Sequence, residues 1–465
     1  MTRPFKTTSR PHVQLLGAVL LSTACQAGAG GSALQAQDTG AYDASGGAVA
    51  TDGGPGMSDA GAVDVPTLTP DANLDAGPST DARPAADAAP LADTAVPAPD
   101  AAVGACPDRP AIAPDAERVV LVGLPFTEQP GVRGTEIRGL MLESEGTLDD
   151  DGIRLDVGTA PARIAFAPHG ITAFVLGEDG QLVSVFVANA EGMAVIDRVQ
   201  LPGADYGDLH VSADGATIWV TGSNSDASSG ISTVHVDCEG GLTLDEPAFF
   251  PLRLSESTAF LPGDERAVLL GGQAVFEPVD TNDIRLIERQ PAGGFHEVGA
   301  FDVYHDFVSA GRIAASPDGR LVAVPNNSPF SEEGSEMVLL GVDGDAVREV
   351  DRVQSVEDAS EALFSLDGQT LLLTQVEPGR VDVYSIADGR IAGASVITGI
   401  GLADQMARVE RGPMADTILL PSIDPNGGPN ISVLRITGPG QVEDLGEHAL
   451  GDGARNIATA IAVQP

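Results

Sequence analysis

From Arg118 onward the chain is written in short apolar runs of five to seven residues, many rich in Val, Ile, Leu and Ala, broken by Gly, Asp, Asn and Pro. This is the pattern of strands and tight turns, and no long stretch carries the 3.6-residue period of an amphipathic helix. One unit recurs: RIAFAPHGITAFVLG (163–177), DLHVSADGATIWVTG (208–222), STAFLPGDERAVLLG (257–271), RIAASPDGRLVAVPN (312–326) and EALFSLDGQTLLLTQ (361–375), with a degenerate sixth copy, RVERGPMADTILLPS (408–422). The turn positions Gly170, Gly215, Asp264, Gly319, Gly368 and Ala415 lie 45 to 55 residues apart. A period near 50 residues built from four short strands predicts a β-propeller blade.

The two ends of this region complete each other. ARNIATAIAVQP (454–465) reads as the first strand of a further unit, whereas RVVLVG (118–123), TEIRGLML (135–142) and IRLDVG (153–158) read as a second, third and fourth strand that lack a first. The expectation is an all-β, seven-bladed propeller over residues 106–465, closed by the C-terminal strand completing the first blade, so that no sheet edge is left open. Asp318, in the Ser316-Pro317-Asp318-Gly319 turn, is read as turn chemistry, because Asp214 and Asp367 hold the same place and Gly supplies the positive φ. With SPDG turns as the shared mark, the ring resembles the lactonase-like, YVTN-type seven-bladed propellers of bacteria. The resemblance implies the fold. As to activity, it leaves open a lactonase-like hydrolase, with or without a divalent metal, acting at the mouth of the central channel.

The residues before the propeller form a different polymer. Arg3, Lys6 and Arg10 precede an apolar run, Val13–Leu21, too short to span a bilayer. Leu21-Ser22-Thr23-Ala24-Cys25 then resembles the lipobox of bacterial lipoproteins, with Leu four residues before the Cys instead of three. The expectations are a signal peptide over 1–24, lipidation at Cys25, and an exported protein anchored in the cell envelope, at the outer membrane where there are two. Residues 25–105 are rich in Ala, Gly, Pro and Asp, with no Glu, Phe or Trp. Such a segment buries too little apolar area to offset its ordering entropy, and is read as a disordered tether. Lipidation of Cys25 leaves Cys106 and Cys238, an expected disulfide in an oxidising compartment.

Charge and missing motifs narrow the function. With 25 Lys+Arg against 67 Asp+Glu, net −42, the surface repels phosphate backbones, and nucleic acid is excluded as a partner. Lys6 is the only lysine, so lysine-based Schiff-base and P-loop chemistry are absent once a signal peptide is removed. No G-x-S-x-G, C-x-x-C, H-E-x-x-H or P-loop motif occurs. No cofactor is expected; the acidic turn Asp149-Asp150-Asp151-Gly152 offers Ca²⁺ as a weak alternative to a solvated turn, without the EF-hand spacing.

Stacking the repeats brings out one polar constellation. Seven residues before each turn position, at the start of the innermost strand, stand Arg163, Asp208, Ser257, Arg312, Glu361 and Arg408, with Arg455 as the equivalent in the split blade. YVTN-type repeats often carry a small residue there. Two readings stand: opposite charges pair and plug the channel, or surplus Arg makes a polar pocket for a carboxylate or an acidic peptide end. Phe126, Tyr304, His305 and Phe330, on connections expected at the same face, are candidate partner contacts. The leading expectation is a non-catalytic scaffold that binds an envelope protein or peptide; the hydrolase is the alternative.

Overall fold

The computed structural model describes residues 112–113 and 116–465, apart from 151, 204–205, 223–229, 252–254, 272–283, 291–292, 304–310, 327–335, 355–358, 376–378, 401–404 and 425–427. The signal peptide, the tether, Cys25 and Cys106 lie outside the described residues. Seven antiparallel sheets follow one another around an axis. Their innermost strands are Pro161–Phe166, Tyr206–Val211, Ser255–Phe260, Ala314–Ala315, Ala359–Phe364, Ala407–Arg408 and Ala460–Val463, which head blades 1 to 7 in that order.

The ring closes as the end sequences require. Ala460–Val463 pairs antiparallel with Arg118–Phe126, placing Gly123 opposite Ala460 and Val120 opposite Val463. The closing strand is shorter than expected, because Ala454–Asn456 forms a single 3₁₀ turn before it. Blade 7 also has a broken outer edge: Leu148–Asp149 and Arg154–Asp156 pair separately with Arg133–Leu142.

Why the second strands read as continuous apolar runs is clear from the packing. A strand inside a blade is covered on both faces by neighbouring blades. Leu371 and Leu373 pack against Leu321 and Ala323 of blade 4, while Leu372, between them, packs against Ile418 and Leu420 of blade 6. Seven such clusters fill the seven junctions. Six are mainly aliphatic, with Phe174 buried between blades 1 and 2 and Phe364 and Tyr384 between blades 4 and 5. The junction of blades 2 and 3 is aromatic: Trp219 stacks on Phe260 at 4.8 Å and meets Phe295 edge-on at 5.9 Å. Outermost strands such as Arg390–Thr398 are mostly exposed and polar-tolerant.

The turns behave as punctuation. Asp318 Oδ1 accepts the Ser316 hydroxyl at 2.6 Å and the Arg320 N–H at 3.1 Å, and Gly319 has φ 69°. Asp214 and Asp367 repeat the Ser-to-Asp bond at 2.6 Å. In the sixth blade the turn's positive-φ residues are Gly412 (φ 82°) and Asp416 (φ 61°), and not Ala415, where the repeat alignment puts the turn position.

Candidate functional site

The head of each innermost strand can be fixed by a backbone marker. In blade 1 the Ala167 N–H closes the turn onto the Thr172 carbonyl, and Ser212, Leu261, Ser316, Ser365, Val409 and Gln464 make the equivalent bond in the others. Four residues before this marker stand Arg163, Asp208, Ser257, Arg312, Glu361, Gln405 and Ala460. Five of the seven are the residues expected. Arg408 and Arg455 are not at this level, and the surplus of positive charge goes with them: the true ring has two Arg and two acids.

Both displacements have a physical reason. In blade 6 the marker bond spans Val409 to Thr417, three residues more than Ser365 to Thr370 in blade 5, so an ungapped alignment slips the innermost strand by three. Arg408 lies lower on that strand, donating to the Phe364 carbonyl and, through Nη2, to Glu410 at 2.9 Å. Arg455 is carried off by the 3₁₀ turn and is exposed. The small residue typical of the resembling family does occur in this chain, as Ala460.

Most ring residues join one blade to the next. The Asp208 carboxylate accepts the Thr258 N–H of blade 3 at 2.9 Å, along with the Ser257 hydroxyl. The Ser257 hydroxyl oxygen accepts the Ile313 N–H at 3.1 Å. Glu361 accepts the Met406 N–H at 2.6 Å, and Gln405 the Ile461 N–H at 3.3 Å. Between blades 4 and 5 the Arg312 carbonyl does this work, accepting the Ala362 N–H at 3.0 Å.

The junction of blades 4 and 5 also carries the ring's ion pair. Arg312 Nη1 lies 3.4 Å from Glu361 Oε2, each side chain 13% exposed, so the pair is mostly desolvated yet reachable. Behind it stands a second polar cluster that the repeat alignment did not single out. Arg380, Asp382 and Tyr384 alternate along Arg380–Ala387 and share one face. Asp382 receives Arg380 Nη2 at 3.0 Å, the Tyr384 hydroxyl at 3.3 Å and the Gln375 amide. Burial pushes the Asp382 carboxyl above its ordinary value, against the opposing pull of Arg380 and the hydrogen bonds from Tyr384 and Gln375. Burial likewise raises the Tyr384 phenol, with the Asp382 charge adding to it. The signal was in the sequence: R-x-D-x-Y in a strand that is otherwise apolar on that face. In blade 4, Arg352 joins the buried Glu336 to Glu349 and to the Val303 carbonyl.

The remaining sequence candidates scatter. Phe126 ends its strand, with the Arg133 guanidinium 5.1 Å from its ring centre. Tyr304, His305 and Phe330 lie outside the described residues. Cys238 follows the third strand of blade 2. In the acidic turn, Asp150 is bonded to Arg138, with His448 Nε2 at 3.8 Å, and burial raises its carboxyl. Asp151 is outside the described residues, and among those described no group of three His, Cys, Asp or Glu is placed to hold a metal ion.

No family model matches the chain. No curated protein matches it in sequence. Solved structures do match. The periplasmic gluconolactonase of Pseudomonas aeruginosa superposes with a TM-score of 0.59 at 15% identity, covering 75% of this chain and 99% of that one. A putative 6-phosphogluconolactonase from Bacteroides uniformis gives 0.56 at 15% identity over 75% and 99%. Another from Bacteroides fragilis gives 0.55 at 14% over 76% and 99%. These likenesses establish a seven-bladed propeller with lactonase-like structural neighbours.

Proposed function

We propose that this chain hydrolyses a lactone at the channel mouth beside Arg312 and Glu361. The observation that carries the reading is that ion pair: opposite charges, mostly desolvated but 13% exposed, on the ring at the junction of blades 4 and 5. The lactonase names of the structural neighbours support it. In this scheme Glu361 takes a proton from a water that attacks the lactone carbonyl carbon. The ester C–O bond breaks, the ring oxygen leaves as a hydroxyl by accepting a proton, and Arg312 offsets the charge on the oxyanion and then on the product carboxylate. Acid release from glucono-δ-lactone, corrected for spontaneous opening, tests it. Wild type is expected to exceed buffer, and Glu361→Gln and Arg312→Ala to fall at least about a hundredfold, the scale of losing a general base or an oxyanion donor. A wild-type rate equal to buffer sinks the reading.

The blade-to-blade bonds favour a second reading. Glu361 is already engaged by the Met406 N–H, a structural use that suits a non-catalytic scaffold for an envelope protein or peptide. The same assay separates the two. We further propose export, a lipid on Cys25 and a Cys106–Cys238 bridge. Fatty-acid labelling lost in Cys25→Ser, and a Cys106–Cys238 peptide under non-reducing conditions, are the expected results.

A further inference from the structure

In each blade the outermost strand pairs on one side only, so part of its backbone hydrogen-bonding groups face outward. Six of the seven outer edges carry a carboxylate that discourages a further strand: Asp149, Asp197, Asp245, Glu297, Glu349 and Glu443. Blade 5 does not. Its outermost strand, Arg390–Thr398, has one charged residue, Arg390, beside the turn, and then runs IAGASVIT without charge. Ala392 to Val396 and Thr398 are all exposed, and Val396, at 48%, is among the few large apolar side chains in solvent. The register tells which backbone groups face out. The Ile386 N–H donates to the Gln369 carbonyl at 2.8 Å, so the groups of Tyr384, Asp382 and Arg380 also turn toward the second strand, and those of Ser385, Val383 and Val381 toward the outermost one. Opposite these last stand Gly393, Ser395 and Ile397. The N–H and carbonyl groups of Ala394, Val396 and Thr398 therefore point away from the blade. Nearer the turn the edge is already used, the Ile391 N–H donating to Asp351 of blade 4 at 3.1 Å.

We propose that this edge pairs with the same edge of a second copy of the chain, antiparallel about a twofold axis at Val396. Three features select a second copy. An antiparallel pairing that uses all the outward groups sets Val396 against Val396 of the partner subunit and Ala394 against Thr398 of the partner subunit, so every donor meets an acceptor. The side chains brought together are small or β-branched and uncharged, which suits cross-strand pairs and opposes no like charges. A second copy carries the same net charge of −42 and is repelled over most of its surface, and the charge-free edge is where that repulsion is least. The pairing joins two blades into one continuous sheet at the rim. It also turns one ring over relative to the other, so the two channel mouths beside Arg312 and Glu361 face opposite ways and neither is covered. A single strand edge buries less than the roughly 1,200–2,000 Å² of a standard interface, so the dimer is a weak one.

Sedimentation equilibrium on the full chain tests the pairing, with Cys25→Ser so that no lipid drives association. The otherwise wild-type chain is expected to pass from monomer to dimer, and no further, as concentration rises. Its association should tighten severalfold as added salt screens the like charge. Val396→Lys sets two ammonium groups face to face at the twofold axis and should weaken association about tenfold or more. Ala394→Pro replaces an outward N–H by a ring and should do the same. Neither change removes a bond within the blade, so both variants should keep the melting temperature of the parent at monomer concentration. Amide exchange at Val396 should slow on dimerisation while Leu372 stays unchanged. A parent chain that is monomeric at every concentration and salt overturns the proposal, as does an open-ended series of oligomers. So does a dimer that persists in folded Val396→Lys protein, or one that comes apart as salt is added, since opposite charges would then be holding it.

Discussion

At the scale of single residues, the strand-one-to-strand-two turns of blades 1 to 5 are each matched to the turn of the next blade. Where the residue after the marker is Pro, it has no N–H, and the following turn presents a Gly against its ring: Pro168 with Gly215, Pro262 with Gly319, Pro317 with Gly368. A Cβ on Gly319 would come within 2.7 Å of the Pro262 ring. Where the residue keeps its N–H, the following turn presents an Asp at positive φ that accepts it: Ala213 with Asp264 and Leu366 with Asp416, each at 2.8 Å. Ala213→Pro alone should therefore cost about 1–3 kcal/mol by leaving a partly buried carboxylate short of a donor. Adding Asp264→Gly, which reproduces Pro317 with Gly368, should recover most of it in denaturant unfolding; strict additivity would refute the pairing. A pH effect follows from Asp264. Burial pushes its carboxyl up, but the His210 hydrogen bond and charge and the Ala213 N–H outweigh this and hold it below its ordinary value. Its stabilisation is complete above the unfolded-state carboxyl range and is lost as pH falls through the lower folded value. The stability gap between wild type and Asp264→Gly should narrow on acidification. Asp416 is pushed up by burial and acts in the opposite sense. The Ser-Pro-Asp-Gly turn was legible at once because its bonds join residues two apart; its pairing with the next blade joins residues about 50 apart and was not.

Among the elements, the innermost strands depend on the ring bonds, since Ala314–Ala315 and Ala407–Arg408 are only two residues long. Gln405→Ala removes the side-chain acceptor of the Ile461 N–H and should cost about 1 kcal/mol. It should also speed amide exchange at Ile461 while leaving Leu372 unchanged, and equal acceleration at both would argue against a local role. The buried Arg380–Asp382 pair gives a different contrast. Asp382→Ala strands a buried guanidinium and should cost about 3–5 kcal/mol, whereas Arg380→Met with Asp382→Leu should be near neutral. Five of the seven ring residues were legible because the first five repeats align without gaps. Gln405 and Ala460 were hidden by three extra residues in one turn and by a 3₁₀ turn, which change register without changing the apolar pattern that a sequence alignment follows.

For the whole molecule, closure is the decisive event. Ala460 and Ala462 belong to the cluster between blades 7 and 1, Ile461 and Val463 to the one between 6 and 7, so the last strand completes two junctions at once. Ending the chain at Thr459 exposes both and should abolish cooperative unfolding, leaving an aggregating species in sedimentation. The charge of −42 also predicts a melting temperature that rises with added salt as self-repulsion is screened. Blade number, strand order and the complementary ends were determined by the sequence alone, because they rest on local turn chemistry and a repeat period that a linear reading can count. Which residues share the channel wall and which Arg faces which acid were decided only in the tertiary structure. Those depend on register between strands of different blades, and one short insertion or one turn of 3₁₀ helix moves a side chain from the ring to the strand below it or to solvent.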